Sequence, residues 1–153
     1  ELLPVVTASR DDLEAHDFIP FRELSDMPWA MTAHVVYEAI DPEHAATTSV
    51  SVIGEVVRGH MGIDGVLVSD DLSMKALSGN LAERAAGALE AGCDLALHCN
   101  GEMDEMEAVA EGASPLSPQS GSRIALAENM KKNKEDFDFK ENIFLLNELF
   151  SHV

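Results

Sequence analysis

Three short runs of apolar residues alternate with helical patterns along the first two thirds of the chain. The runs cover residues 30–36, 63–69 and 93–98, and the second is almost wholly apolar. Runs of this length, bounded by turn-forming pairs such as Asp41-Pro42, are typical of β-strands. A continuous apolar run further indicates a strand that is buried on both faces of its sheet. The pattern therefore predicts three buried strands.

Two helical patterns connect these predicted strands. Ser49 can cap the first, whose apolar positions recur every three or four residues until Gly62 ends it. Asn80 can cap the second, Glu83 stands at the capping-box position, and Gly92 marks the end. Strands joined by helical crossovers run parallel and need cover on both faces of the sheet. The predicted fold class is therefore α/β, with a βαβαβ unit.

The remainder of the chain predicts helices and one linker. Residues 102–111 have a helical pattern, and its inner side is expected to hold Met103, Met106, Val109 and Ala110. Residues 113–121 are rich in Pro, Ser and Gly, which is typical of a linker. Helical patterns follow over residues 123–132 and 139–153. The last pattern carries an apolar stripe that we expect to dock on a core, formed by Ile143, Phe144, Leu146, Leu149 and Phe150.

Composition and charge restrict the class of protein. The chain has 153 residues, of which 46% are hydrophobic, so we expect a folded globular chain and not a disordered one. The formal net charge of −18 makes nucleic acid and anionic membrane surfaces poor partners. No run approaches the roughly 18 apolar residues that a membrane span needs. Residues 123–153 hold five basic and six acidic residues, and this balance predicts a segment separate from the strongly acidic remainder.

The two cysteines, Cys93 and Cys99, flank the third predicted strand. Their spacing fits neither a disulfide scaffold nor a four-ligand zinc site. We therefore expect buried or partly buried free thiols, as in a protein of a reducing compartment. No cofactor is implied by this pattern.

The number of predicted strands is small for an open α/β sheet. Residues 2–7 are extended and apolar, but Pro4 and the lack of a following long helix argue against a fourth strand. We therefore interpret the sheet as the end of a larger barrel whose first strands lie upstream. The exposed edge of such a sheet would promote aggregation if the chain were expressed alone.

The residues best suited to chemistry stand at the ends of the predicted strands. Because the carboxyl ends of parallel strands share one rim, His34, Asp70, Asp71 and the turn at 98–101 are expected there. Successive side chains on a strand point to opposite sides, so one aspartate should face a pocket and the other should orient the following turn. The residues alone leave open which aspartate acts, whether both are only turn carboxylates, and whether His34 is only a hydrogen-bonded wall. The acidic pair with His34 also has the ligand types of a divalent metal site.

Several segments resemble one known enzyme family. The most specific is the pattern G-x-D-G-x-x-x-S-D-D-L-S-M at 62–74. It is accompanied by T-A-H-V at 32–35, A-G-C-D at 91–94 and H-C-N-G at 98–101. In this order, the segments resemble the later strands of bacterial β-N-acetylhexosaminidases of glycoside hydrolase family 3. The likeness covers roughly residues 1–115.

This resemblance implies a fold, an activity and a nucleophile. Residues 1–115 would form the C-terminal part of a (β/α)8 TIM barrel, and residues 116–153 a linker and helical extension. The family implies a cytoplasmic enzyme that releases terminal β-linked N-acetylglucosamine from cell-wall fragments during peptidoglycan recycling. Its nucleophile is the aspartate directly after the serine, which corresponds to Asp70, with Asp71 as a structural neighbour. His34 is then a candidate wall of the sugar pocket, and no cofactor or metal is implied.

The resemblance also implies groups that these residues do not contain. Acid/base catalysis in this subfamily is assigned to a histidine–aspartate dyad in a D-S-H pattern, expected just before a segment like Leu2-Leu3-Pro4. The K-H-x-P-G-H-G motif and the arginine and aspartate that grip the sugar are absent too. We therefore expect the chain to need the missing N-terminal half of the barrel as a partner and to be inactive alone. Two alternatives remain, namely a non-catalytic half-barrel that binds a sugar or a partner, and a divalent-metal α/β enzyme.

Overall fold

The computed structural model describes residues 3–132 together with residues 139, 143, 144, 146 and 147. The strands are β1 (Val5–Val6), β2 (Trp29–Met31), β3 (Val36–Tyr37), β4 (Val66–Asp71) and β5 (Leu95–Leu97). The helices are α1 (Arg10–Asp12), which continues as a π-helical turn over Leu13–Asp17, α2 (Ile19–Glu23), α3 (Val52–His60, π-helical), α4 (Leu81–Ala91), α5 (Met103–Gly112) and α6 (Pro118–Lys132). A 3-10 turn covers Ala46–Thr48. Within this described part, no helix has both the length and the hydropathy that a membrane crossing needs.

The main sheet is parallel, with strand order β2-β4-β5. The register between β4 and β5 shifts between Val68 and Asp71. At this point the Ser69 hydroxyl accepts the Leu97 N–H at 2.8 Å, so a side chain replaces a backbone acceptor. The predicted α/β class with parallel strands is confirmed, whereas closure of the strands into a barrel stays a prediction.

The first predicted strand is not a single strand, and this part of the sequence-based prediction is wrong. Residues 29–31 belong to the main sheet, whereas β3 pairs in parallel with β1 in a separate two-stranded sheet. Strand β2 ends at Met31, and β3 begins at Val36. Between them, the buried side chains of Thr32 and His34 hydrogen-bond to Thr47 in the 3-10 turn. The same pairing shows that residues 2–7 do supply a short strand, because the Val36 N–H donates to the Pro4 carbonyl oxygen at 2.9 Å.

The core lies between the main sheet and the helices that follow its strands. Ile53 from α3, Leu67 from β4, and Ala85 and Ala88 from α4 are at most 1% exposed. The alanines on the inner face of α4 let this helix lie close to the sheet, because a methyl group adds little thickness. The predicted ends of α4 are also confirmed. Asn80 forms a capping box at its start, and Gly92, with φ of 116°, ends it in the left-handed region.

Helix α5 forms as predicted, but three of the four residues predicted for its buried side are exposed. Met103 and Met106 are 64% and 45% exposed, and Ala110 is also exposed, so only Val109 of the predicted set packs on the core. The methionines have nothing to cover them, because within the described residues no strand lies beyond β5.

Helix α6 begins earlier than the sequence predicts. Residues 118–121, which we expected in a linker, form its first turn. The Ser117 side chain accepts the Ser120 N–H at 3.0 Å, so Ser117 and Pro118 act as start signals of a helix and not as linker residues. The predicted helix over 139–153 lies largely outside the described residues. Of its apolar stripe, Ile143, Phe144 and Leu146 are exposed, and the other members are not described.

A buried carboxylate joins α6 to the amino-terminal end of the main sheet. The Asp94 side chain is 2% exposed and accepts hydrogen bonds from Arg58, Arg123, the Ser120 hydroxyl and the Leu67 N–H, at 2.6–3.1 Å. Burial alone would raise the pKa of Asp94, but the hydrogen bonds and the Arg123 charge outweigh it and hold the pKa below its usual value. The carboxylate therefore stays ionised and fixes α6 on the sheet.

Candidate functional site

Asp70 lies at the carboxyl end of β4, where it lines a cavity of about 430 Å³. The other lining residues are Pro4, Ala33, His34, Val35, Met74 and Ala76. Two residues that the sequence predicts for the site, Asp70 and His34, are therefore brought together at one opening. This opening is at the edge of the parallel sheet where α/β proteins bind their ligands.

The Asp70 carboxylate is held by its own backbone. The Asp70 N–H donates to the Thr32 hydroxyl at 3.2 Å, which ties β4 to the residue that follows β2. One carboxylate oxygen of Asp70 accepts the Asp71 N–H at 2.8 Å. No described side chain donates to the Asp70 carboxylate, so its other acceptor positions are available to a ligand.

Asp71 is engaged by the turn that follows β4. Its side chain accepts the Ser73 hydroxyl at 2.5 Å and the N–H groups of Ser73 and Cys99, each at 3.1 Å. Burial raises the pKa of Asp71, but these three hydrogen bonds outweigh it, so the pKa lies below its usual value. Asp71 therefore orients the turn, as strand alternation predicts for one of the two aspartates.

His34 is 3% exposed, and both of its ring nitrogens have protein partners. Nδ1 lies 2.9 Å from the Thr47 hydroxyl, and Nε2 lies 3.0 Å from the Asp71 carbonyl oxygen. His34 thus forms part of the cavity wall with its polar atoms already occupied. The sequence gives no sign of Thr47, which is completely buried, because two adjacent threonines after two alanines carry no periodic signal that distinguishes one from the other.

The turn at 98–101 reaches the same rim but does not line the cavity. The His98 side chain is 6% exposed, with Nε2 3.3 Å from a Glu105 carboxylate oxygen. Asn100 donates to Glu105 at 2.9 Å, and its side-chain oxygen lies 3.3 Å from the Ser73 hydroxyl oxygen. Because the Cys99 N–H also donates to Asp71, this turn helps to hold Asp71 in place without lining the candidate site itself.

The two cysteines are free but differ in their surroundings. Cys93 is buried as expected, and burial raises the pKa of its thiol to about 12. Cys99 is exposed, so the expectation that both thiols are at least partly buried is wrong for Cys99. Among the residues that the structure describes, no three His, Cys, Asp or Glu side chains are grouped to hold a metal ion.

A second, apolar cavity of about 470 Å³ lies beside β2 and reaches Leu67 of β4. We refer to it as the β2 groove; its lining includes Phe18, Phe21, Leu24, Trp29 and Met31. Phe21, Leu24 and Met31 are each more than half exposed. The groove is lined mainly by apolar side chains, with Asp17, Thr32 and Tyr37 as exceptions, whereas the other cavity presents the Asp70 carboxylate at the carboxyl edge of the sheet. The candidate site is therefore the cavity at Asp70.

These features define an α/β protein with a single carboxylate presented at the carboxyl edge of a buried parallel sheet. The family model described as the glycosyl hydrolase family 3 N-terminal domain matches residues 2–127. The chain therefore belongs to glycoside hydrolase family 3.

Individual relatives agree with the family assignment. A β-hexosaminidase of Alkalilimnicola ehrlichii is 50% identical over 102 residues, which cover 64% of this chain and 29% of that protein. The structure of a family 3 β-N-acetylglucosaminidase from Paenibacillus sp. is similar, with a TM-score of 0.76, 30% identity, and coverage of 91% of this chain and 30% of that one. NagZ from Neisseria gonorrhoeae, determined in complex with N-trifluoroacetyl-D-glucosamine, is similar with a TM-score of 0.70, 36% identity, and coverage of 80% and 35%. The chain thus spans about a third of the length of these relatives.

Proposed function

We propose that this chain supplies the nucleophile, Asp70, of a retaining glycoside hydrolase. The observation that carries the proposal is that the two adjacent aspartates have different surroundings. Asp70 lines the cavity at the sheet edge, and its carboxylate accepts one described hydrogen bond, from the Asp71 N–H. Asp71, by contrast, accepts three hydrogen bonds from the following turn and from Cys99. A nucleophile must approach the anomeric carbon without losing its hydrogen-bonded orientation, and this arrangement allows it.

The reaction proceeds in two displacements. Asp70 attacks the anomeric carbon as the glycosidic oxygen leaves with a proton, and the resulting glycosyl ester is hydrolysed by water with net retention. A second group must first donate and then remove a proton. The 153 residues contain no D-S-H pattern, so this acid/base belongs to the part of the relatives' length that the chain does not span.

The substrate is a terminal, β-linked N-acetylglucosamine residue. Support comes from the Paenibacillus relative, which is a β-N-acetylglucosaminidase, and from the Neisseria structure with its N-trifluoroacetyl-D-glucosamine ligand. We further propose peptidoglycan fragments as the source of this sugar and the cytoplasm as the site of the reaction. His34 forms the wall of the sugar pocket.

The β2 groove supports the proposal that the chain functions as part of a larger barrel. It exposes aromatic and methionine side chains beside β2, which is an edge strand of the three-stranded sheet. A further strand and helix from the upstream half of the barrel would cover both the apolar side chains and the open edge. The isolated chain is therefore inactive.

The test uses a completed enzyme, in which residues 2–127 of this chain replace the corresponding residues of the Alkalilimnicola β-hexosaminidase. We expect it to hydrolyse a chromogenic β-N-acetylglucosaminide, whereas the 153-residue chain alone does not. Asp70→Ala should abolish turnover, because no other group can form the covalent intermediate. Asp71→Asn, the matched control, should spare more activity, because an amide can still accept part of the turn's hydrogen bonds. Equal losses from the two substitutions would refute the assignment of Asp70.

A further inference from the structure

Four hydrogen bonds form a closed ring around the peptide unit of Asp70 and Asp71. The Asp70 N–H donates to the Thr32 hydroxyl at 3.2 Å, and the two threonine hydroxyls, of Thr32 and Thr47, lie 2.9 Å apart. The Thr47 hydroxyl lies 2.9 Å from His34 Nδ1, and His34 Nε2 lies 3.0 Å from the Asp71 carbonyl oxygen. Thr32, Thr47 and His34 are all buried, at 9%, 0% and 3% exposure.

Elementary donor and acceptor rules give this ring one direction. A carbonyl oxygen can only accept, so His34 Nε2 must carry a proton and donate it to Asp71. In a neutral ring Nδ1 is then an acceptor, and the Thr47 hydroxyl donates to it. The Thr47 oxygen accepts from the Thr32 hydroxyl, whose own oxygen accepts the Asp70 N–H. Every bond in the ring has one donor and one acceptor.

The alternative proton arrangement, in which His34 is charged, breaks this sequence of donors and acceptors. If Nδ1 also carried a proton, Thr47 would have to accept from His34 and donate toward Thr32. Thr32 would then receive two donors, from Thr47 and from the Asp70 N–H, and its own hydroxyl proton would have no acceptor within the ring. Outside the ring, the neighbour of this hydroxyl is the Cys93 thiol, whose sulfur is only a weak acceptor. The ring therefore favours the neutral Nε2–H tautomer of His34, in which every hydroxyl donates to an oxygen or a nitrogen.

We propose that Thr47 is a positioning residue that holds the Asp70 carboxylate in register through Thr32 and His34. The ring anchors the chain at the Asp70 N–H and at the Asp71 carbonyl oxygen, which are the two ends of the segment that carries the nucleophile. The catalytic consequence rests on the proposed function, whereas the ring and the tautomer do not. Thr47 itself lies outside the residues that line the cavity.

Two readouts on the completed enzyme test this inference. With ¹⁵N-labelled histidine, the His34 signals are assigned by their loss in His34→Gln. We expect a protonated Nε2 and an unprotonated Nδ1 at neutral pH. Thr47→Val, which removes the hydroxyl and keeps the shape, should lower kcat on the order of tenfold to a hundredfold through misplacement of Asp70. The change in KM should be smaller, because Thr47 does not line the cavity and the wall residue His34 is unchanged.

Conservative variants separate positioning from packing. Thr47→Ser keeps the hydroxyl and should retain most of the kcat and the wild-type tautomer. Thr48→Val removes the neighbouring hydroxyl, which donates to the Ala45 carbonyl oxygen at 3.3 Å outside the ring, and should leave kcat unchanged. If Thr47→Val fails to fold, the wild-type spectrum still decides the tautomer.

The outcomes distinguish this inference from the proposed function. A proton on Nδ1 of wild-type His34, or a Thr47→Val enzyme with wild-type kcat, would overturn the positioning role even if Asp70 is the nucleophile. Turnover that survives Asp70→Ala would overturn the proposed function, while an Nε2–H tautomer would leave the ring in place.

Discussion

Two adjacent aspartates at the end of β4 have different surroundings because a strand directs successive side chains to opposite sides. Asp71 turns toward Ser73 and Cys99, where three donors hold its pKa down. Asp70 turns toward the cavity. This division could be predicted from the sequence because it follows from the alternation of a β-strand. The role of Thr47 could not be predicted, because its partners Thr32 and His34 are 15 and 13 residues away in sequence.

The two thiols should differ in reactivity toward an alkylating reagent at pH 8. Burial raises the pKa of Cys93 to about 12, so its reactive thiolate is scarce and shielded. Cys99 is exposed, although partial desolvation and the charges of Asp71 and Asp70 raise its pKa as well. Mass spectrometry of the native protein should find Cys99 alkylated first and Cys93 only after unfolding. Asp71→Asn should speed alkylation of Cys99, and faster labelling of Cys93 than of Cys99 would contradict this account.

Helix boundaries were predictable where a single residue type sets the backbone, as at Asn80 and Gly92. The failures occur where tertiary partners, or their absence among the described residues, decide the outcome, or where the local signal is ambiguous. The strand expected over residues 30–36 breaks because Thr32 and His34 find buried partners. The methionines of α5 follow a helical pattern, but they are exposed because no described element packs over them. Likewise, Ser117 and Pro118 are ambiguous in sequence, since the same residues start helices and form linkers.

Asp94 should be the main electrostatic link between α6 and the sheet. Asp94→Asn should lower the free energy of unfolding at pH 7 on the order of 3 kcal/mol, because it leaves the partly buried Arg58 without its carboxylate partner and Arg123 with only the exposed Asp64. Asp64 also binds Arg123, but its side chain is 89% exposed. Asp64→Asn is therefore the matched control, with an expected loss below about 1 kcal/mol in urea unfolding.

The effect of Asp94 should disappear in acid. Its pKa is lower in the folded chain than the usual value of about 3.9, so the folded state binds fewer protons than the unfolded state. The stabilisation is thus fully present above about pH 4 and is lost as the pH falls through the folded pKa. Unfolding curves of the wild type and Asp94→Asn should converge below that range. A difference that persists undiminished in acid would show that Asp94 acts by packing and not by charge.

The described residues contain one candidate site, the cavity at Asp70, and one exposed apolar surface, the β2 groove. The carboxyl edge of the main sheet presents Asp70, and the β2 groove exposes apolar side chains next to β2, an edge strand of that sheet. The chain spans about 30% of the Paenibacillus relative that it resembles in structure. A nucleophile on one part of a barrel and an acid/base on another is compatible with this geometry, because both groups meet only at the shared rim.

The most direct test of the central claim is to trap the glycosyl-enzyme. A slow fluorinated N-acetylglucosaminyl substrate would be incubated with the completed enzyme, which would then be digested, and the modified peptide would be sequenced by mass spectrometry. We expect one label per active site, in ester linkage to Asp70, and no label in Asp70→Ala. A sugar attached to Asp71, or to any side chain other than Asp70, would contradict it.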